Sequence, residues 1–89
     1  MTTLETTQTA QPGRLERRKA RTRAAILTAA SRLFHERGYE DTSIQQVAER
    51  ADTGVGTLYG YFASKEDILR AVLDDQRDEA IARYQSSIA

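Results

Sequence analysis

The sequence has no cysteine and no tryptophan, and only one histidine and one proline among its 89 residues. The absence of cysteine excludes disulfide bonds, thiolate zinc sites and cysteine nucleophiles. No apolar run approaches the length of a signal sequence or a membrane span, so we expect a cytoplasmic protein without a membrane partner. The lone His35 has no set of catalytic or metal-binding partners, and the acidic residues within 74–79 are typical of a solvated helix face. We therefore expect no enzymatic activity, no cofactor and no metal.

Charge is balanced over the whole chain but is distributed unevenly along it. Thirteen basic and thirteen acidic residues give a net charge of zero. Residues 1–37 carry eight basic and three acidic residues, whereas residues 38–89 carry five basic and ten acidic residues. Five of the cations fall within seven positions, namely Arg17, Arg18, Lys19, Arg21 and Arg23. A basic N-terminal part ahead of an acidic body favours electrostatic attraction of that part to a polyanion.

The chain divides into an N-terminal arm and one folded domain. Residues 1–13 are rich in Thr and Gln and contain few large apolar side chains. Such a segment cannot bury enough surface to offset its ordering entropy. We therefore predict a disordered arm over residues 1–15 and a single domain over residues 16–89.

Apolar spacing predicts an all-α domain with four helices. The first helix begins between residues 16 and 18 and ends at Arg37, where Gly38 provides a residue that tolerates positive φ. The fourth helix begins after Ser64, whose hydroxyl is suited to an N-cap, and continues to about residue 83 or beyond.

The two middle helices are short and separated by a tight turn. Thr42 and Gln45 have the spacing of a capping box, which predicts a second helix over residues 43–50. Residues 52–54, Asp-Thr-Gly, form the turn, and the third helix follows over residues 55–61. Two short helices joined in this way are typical of a helix-turn-helix.

The third predicted helix has the composition of a surface that approaches a ligand closely. Gly56 and Gly60 lie within its seven residues, although an interior glycine costs about 1 kcal/mol relative to alanine. Thr57 offers a hydroxyl and a methyl group, and Tyr59 and Tyr61 offer phenolic hydroxyls. A helix that enters the major groove of DNA needs such small and hydrogen-bonding side chains on its outer face.

Five strings occur in order and with uninterrupted spacing over about half of the chain. They are Ile26-Leu27-x-x-Ala30-x-x-Leu33-Phe34, Gly38-Tyr39-x-x-Thr42-Ser43-Ile44, Val47-Ala48-x-x-Ala51, Gly56-Thr57-Leu58-Tyr59-x-Tyr61-Phe62 and Ser64-Lys65-Glu66-x-Ile68-Leu69. Together they resemble the N-terminal DNA-binding domain of TetR-family transcriptional regulators. The resemblance implies a homeodomain-like three-helix core, extended by the start of a fourth, linking helix.

The resemblance also implies the residues that bind DNA. The third helix would be the recognition helix, whose residues nearest to the base edges would be Val55, Gly56 and Thr57, with Gly60 permitting close approach. Phosphates would be bound by Thr42, Ser43, Tyr59, Tyr61 and Lys65. The basic residues Arg17, Arg18, Lys19, Arg21 and Arg23 would add phosphate or minor-groove contacts. The shared core would comprise Ile26, Phe34, Val47, Ala48, Leu58 and Phe62.

The function implied is that of a sequence-specific transcriptional regulator, and we expect a repressor that binds a double-stranded DNA operator and associates with the nucleoid. Full-length family members bind as homodimers and carry a second domain for dimerisation and small-molecule binding. The chain ends at Ala89, in or just past the fourth helix, so we expect a DNA-binding fragment, with a natural short form as the alternative. We expect the chain alone to be monomeric, with a small-molecule effector only where a C-terminal domain exists.

Two features depart from this interpretation or compete with it. The family usually has Gly-Val-Ser in the turn, whereas residues 52–54 here are Asp-Thr-Gly. Asp52 tolerates the left-handed conformation less readily than glycine does. The alternative function is a helical protein–protein interaction module without DNA binding, which would use the apolar side of the fourth helix.

Overall fold

The computed structural model describes residues 13–88, with side chains described as far as Arg83. Four helices run through this range: α1 (Arg14–Arg37), α2 (Ile44–Arg50), α3 (Val55–Tyr59) and α4 (Lys65–Ile88). The described residues contain no strand, and the all-α prediction is confirmed. None of the described helices is long and apolar enough to cross a membrane.

The N-terminal boundary of the domain differs from the predicted one. Residues 1–12 of the predicted disordered arm lie outside the described residues. Arg14 and Leu15 are already helical, so the arm does not extend to residue 15 as predicted. The helix continues back to Gly13, whose extended backbone ends it and whose carbonyl accepts a hydrogen bond from the N–H of Arg17 at 3.0 Å. Arg, Leu and Glu are good helix formers, which accounts for this extra half turn.

One apolar cluster contains residues from all four helices and from the segment between α3 and α4. Its buried members are Ile26, Leu27, Ala29, Ala30, Leu33, Val47, Ala48, Leu58, Phe62, Ile68 and Val72. Burial of each large aliphatic side chain contributes about 1.5–3 kcal/mol, which holds the short α2 and α3 against the longer helices. Five of the six predicted core residues are buried, and the sixth, Phe34, packs against the cluster while half-buried.

The turn after α1 has the predicted form. Gly38 has a φ of 88°, in the region that glycine adopts without steric cost, and its N–H donates to the carbonyl of Phe34 at 2.9 Å. Tyr39 folds back against the last turn of α1, with its ring centroid 5.3 Å from that of Phe34. This contact fixes the direction in which the chain leaves α1.

The cap of α2 lies one residue later than predicted. Ser43, rather than Thr42, is the N-cap, and the box is completed by Gln46 rather than Gln45. The Gln46 N–H donates to Ser43 Oγ at 3.1 Å, and the Ser43 N–H donates to Gln46 Oε1 at 2.9 Å. The predicted register is wrong because the Thr42 side chain is buried and donates its hydroxyl to the carbonyl of Gly38 at 2.8 Å.

The turn between α2 and α3 contains a left-handed residue at the position that the family resemblance indicated. Asp52 has a φ of 60°, so aspartate does adopt the conformation for which the family usually has glycine. The predicted third helix is two residues too long, because α3 ends at Tyr59. The Gly60 N–H donates to the Thr57 carbonyl at 3.0 Å, and the Tyr61 N–H donates to the Leu58 carbonyl at 2.9 Å. These three-residue spacings tighten the chain and end the helix.

The last helix begins and ends within the predicted bounds. Ser64 Oγ accepts a hydrogen bond from the Asp67 N–H at 3.1 Å, which confirms the cap. The helix continues to Ile88, in agreement with an end at residue 83 or beyond. Ile68 and Val72 on its first turns are buried, whereas Leu73 and Ile81 are exposed.

Candidate nucleic-acid interface

The short helix α3 presents most of its surface to solvent. Leu58 is fully buried and anchors the helix in the core. On the other side, Val55 is 38% exposed and Tyr59 is 50% exposed, and the positions of Gly56 and Thr57 are exposed as well. Five of the predicted DNA-binding residues, Val55, Gly56, Thr57, Tyr59 and Gly60, therefore lie on or beside one exposed short helix.

The two glycines of this region are explained differently by the structure. Apart from its chain neighbours and the backbone of its own helix, a Cβ atom built on Gly56 would meet no atom within 4 Å, so internal packing does not require glycine there. A Cβ atom on Gly60 would lie 3.1 Å from the backbone oxygen of Thr57, a tight contact that only a small relaxation of the turn would relieve. The turn that ends α3 accounts for Gly60, whereas Gly56 leaves an open surface that an external partner can approach.

A shallow groove joins the start of α2 to α3. It is lined by Ser43, Ile44, Gln45, Val55 and Tyr59. The sequence-based prediction placed Ser43 and the α3 residues in one interface, and the fold does bring them together. Gln45 was missed because it was assigned to the cap, and it is exposed in this groove instead. The sequence did contain a signal that Gln45 could lie outside the cap, namely the adjacent Thr-Ser pair, since either of these two residues could serve as the N-cap.

Thr42 and Ser43, which were predicted to bind phosphate at the start of α2, differ in burial. Thr42 is only 2% exposed and its hydroxyl is bound to a backbone carbonyl, so its side chain does not face a ligand. Ser43 is exposed, and its oxygen accepts the cap hydrogen bond while its hydroxyl proton remains a donor. The prediction of a side-chain contact from Thr42 is therefore corrected, and Ser43 is the accessible member of the pair.

Lys65 also lies in different surroundings from those predicted. Its Nζ donates to the carbonyl oxygen of Tyr39 at 2.8 Å and to that of Thr42 at 2.9 Å. The same atom lies 4.3 Å from the centroid of the Tyr39 ring. Partial burial raises the pKa of the Tyr39 phenol, and the carboxylates of Glu66 and Glu40 raise it further. The ammonium thus binds the α1–α2 turn instead of projecting freely toward a phosphate.

A family model described as bacterial regulatory proteins of the tetR family matches residues 26–72, which is more than half of the chain. The chain belongs to the TetR family. The matched range begins at the first buried residue of α1 and ends at Val72 of α4, so it coincides with the packed core and includes α2 and α3. The helix-turn-helix of this chain is that of a TetR-family transcriptional regulator.

Several curated proteins are similar to this TetR-family domain. The HTH-type transcriptional regulator UidR of Escherichia coli is 34% identical over 67 residues, which are 75% of this chain and 34% of UidR. The HTH-type transcriptional repressor ComR of E. coli is 38% identical over 66 residues, 74% of this chain and 31% of ComR. The regulator HbdR of an Aromatoleum strain is 43% identical over 56 residues, 63% of this chain and 24% of HbdR. The chain thus spans about a third or less of these relatives, and no solved structure matches it significantly.

Tyr59, the last residue of α3, and Tyr61, two residues after it, have unequal exposure. Tyr59 is half exposed, whereas Tyr61 is partly buried and packs against the core cluster. Tyr61 lies with Arg23 and Phe62 along a second shallow groove, and the Arg23 guanidinium carbon is 5.3 Å from the centroid of the Phe62 ring. Tyr59 is therefore the more accessible phenol, and Arg23 is held at the edge of the core.

The remaining basic residues of the predicted interface lie on the N-terminal half of α1. Arg17, Arg18, Lys19 and Arg21 are exposed along the turns that precede the first buried residue, Ile26. These cations lie on helical turns, as the predicted start of the first helix implied. Within residues 13–83 no group of histidine, aspartate and glutamate side chains is arranged to hold a metal ion.

An ion pair joins α2 to the end of α1. Arg50 donates to both carboxylate oxygens of Glu36, at 3.0 and 3.4 Å. The hydrogen bond and the positive charge of Arg50 lower the pKa of the Glu36 carboxyl below its usual value of 4.5. Because both side chains are exposed, this pair contributes modestly to stability and adds an orientational restraint on α2.

Proposed function

We propose that this chain is the sequence-specific DNA-binding part of a transcriptional repressor and that α3 enters the major groove of its operator. The observation that carries the proposal is the open surface at Gly56, because the packing of the domain itself does not require a glycine there. The similarity to ComR, a transcriptional repressor, supports repression as the sign of regulation. The proposal includes no catalysis and no cofactor.

Base recognition in this proposal depends on few side chains. Val55 and Thr57 are exposed on α3 and offer methyl groups to thymine and one hydroxyl to a base edge. Gly56 lies between them and allows the helix backbone to approach the bases. Since these residues provide little hydrogen bonding, sequence-dependent DNA shape contributes the rest of the specificity.

Phosphate contacts supply most of the affinity. The Tyr59 and Ser43 hydroxyls flank the groove between α2 and α3, and each donates to a phosphate on one side of the recognition helix. The exposed basic residues of α1 contact the backbone farther along, and Tyr61 lies at the margin of the interface. Each phosphate neutralised by a cation releases counterions, so binding weakens steeply with added salt.

The proposed assembly is a homodimer on two operator half-sites. One copy of this domain covers a single half-site, and a longer protein that contains it binds two half-sites as a homodimer. The 89-residue chain alone is monomeric in this proposal. A small-molecule effector is relevant only where the chain continues into a further domain. Operator binding places the protein in the cytoplasm, on the nucleoid.

The test is a fluorescence anisotropy titration against two labelled duplexes, one of random sequence and one taken from upstream of the protein's own gene. Titrations at two salt concentrations are run for the wild type, for Thr57→Ala and for Thr28→Ala. Thr28 is a matched control because it is also an exposed helical threonine, but it lines a groove between α1 and α4.

We expect salt-sensitive binding, a preference for the upstream duplex, and loss of that preference in Thr57→Ala alone. Equal binding of both duplexes would retain DNA binding but contradict specificity of the isolated domain for that site. Absence of binding at low salt would contradict the proposal and favour the interaction-module alternative.

A further inference from the structure

We propose that Lys65 is a positioning residue, whose ammonium group holds the α1–α2 turn in the conformation that sets α2 and α3 against DNA. The inference rests on the proposed function for its consequence, but its structural part stands on contacts within the chain. It replaces the direct phosphate contact that the family resemblance implied for this lysine.

The ammonium group has its hydrogen-bonding capacity used within the protein. A lysine side chain carries three N–H donors and no acceptor. Two of its partners are the carbonyl oxygens of Tyr39 and Thr42, at 2.8 and 2.9 Å, and the third is the face of the Tyr39 ring, 4.3 Å from Nζ to the centroid. The ammonium thus has two carbonyl oxygens and one ring face as partners, all of which belong to the α1–α2 turn.

The turn that Lys65 binds is itself ordered by hydrogen bonds. The Thr42 hydroxyl donates to the Gly38 carbonyl at 2.8 Å, and the Thr42 N–H donates to the Tyr39 carbonyl at 3.2 Å. The residue that follows, Ser43, is the N-cap of α2 and lines the groove beside α3. A shift of the Thr42 carbonyl therefore moves the first residue of the proposed interface.

Lys65 connects parts of the chain that are distant in sequence. It is the first residue of α4 and lies 26 and 23 positions from its two carbonyl partners. Both of those oxygens point toward one cation, and without it two backbone dipoles of the same sign would face each other. Loss of the ammonium therefore favours a rearranged turn even where the apolar core remains intact.

The two roles predict different behaviour for Lys65→Arg. Arginine keeps the charge and binds phosphate at least as well as lysine, so a phosphate contact predicts nearly unchanged affinity. A planar guanidinium cannot replace a compact ammonium between two carbonyls and a ring. We therefore expect Lys65→Arg to bind the upstream duplex about tenfold more weakly, because binding must then also restore the turn.

Lys65→Met is the second variant and remains informative if the arginine variant does not fold. A lost phosphate contact makes the slope of log K against log salt shallower by about 0.9. A positioning role predicts weaker binding with the same slope as Arg70→Met, a matched control that removes one exposed cation from the next turn of α4. A slope shallower than that of the control by about 0.9 would overturn the proposal.

Amide hydrogen exchange in the absence of DNA tests the structural step separately. In Lys65→Arg and Lys65→Met we expect faster exchange at the Thr42 and Gln46 amides, which bond within the turn and the cap, and unchanged exchange at Ala30 in α1. Unchanged exchange at Thr42 and Gln46 would overturn the proposal. Failure of the wild type to bind DNA would instead contradict the proposed function and would leave this comparison decisive for the turn.

Discussion

Replacement of Gly56 by alanine should stabilise the free protein while it weakens DNA binding. In the free chain an added Cβ meets no atom within 4 Å apart from its chain neighbours and the backbone of its own helix, and the backbone at this position is helical, so no clash opposes the change. Alanine is favoured over glycine in a helix by about 0.5–1 kcal/mol. For a domain of this size, we expect the melting temperature to rise by about 4–8 °C for each kcal/mol gained.

On DNA the same methyl group has the opposite effect. It lies between Val55 and Thr57 on the exposed side of α3, where the proposed interface brings the backbone close to the bases. Displacement of the helix weakens several contacts together, and we expect at least about a tenfold loss of affinity, which corresponds to ~1.4 kcal/mol. Thermal melts monitored by circular dichroism and anisotropy titrations measure the two effects on the same protein samples.

Gly60→Ala is the matched control for this experiment. Its Cβ would lie 3.1 Å from the Thr57 carbonyl oxygen, so we expect a smaller gain in melting temperature than that of Gly56→Ala. If Gly56→Ala were more stable and bound the duplex as tightly as the wild type, the inference that α3 approaches DNA at this residue would be refuted.

Three further changes test the core, the cap and the ion pair. Leu58→Ala should cost about 2–5 kcal/mol in urea denaturation, because the side chain is fully buried; a loss below ~1 kcal/mol would contradict its anchoring role. Ser43→Ala should cost about 1 kcal/mol in thermal melts, because it removes the N-cap oxygen of α2, and an unchanged melting temperature would contradict the cap at Ser43. Arg50 lowers the pKa of Glu36, so this pair stabilises the fold above pH 4.5 and loses that effect as pH falls through the lowered pKa. Melts from pH 7 to pH 3 should show a wild-type advantage over Glu36→Gln that disappears in acid, and a constant difference would contradict the pairing.

Much of the fold was predictable because its determinants are local. Gly38 after a long apolar-periodic segment marked the end of α1, and Ser64 marked the start of α4. The cap of α2 was not predictable, since Thr42 and Ser43 are equally suited to capping and only the burial of Thr42 decides between them. The end of α3 depended on the hydrogen bonding of Gly60, which its sequence position alone did not reveal.

The candidate site was predictable where exposure follows from the helix itself. The outer residues of α3 lie opposite Leu58, so their exposure follows once that residue is placed in the core. Lys65 and Gln45 could not be placed in this way. The partners of Lys65 are backbone carbonyls more than 20 positions away, and the position of Gln45 depends on which residue caps α2.

The central claim is that DNA is bound by α3 and the start of α2. The most direct measurement is a map of amide chemical-shift changes when the bound duplex is titrated into the ¹⁵N-labelled chain. The account predicts that the largest changes occur at Ser43 and over residues 55–60, with smaller changes along the basic turns of α1. Changes concentrated instead along the α1–α4 groove, around Thr28 and Gln76, with α3 unaffected, would contradict it.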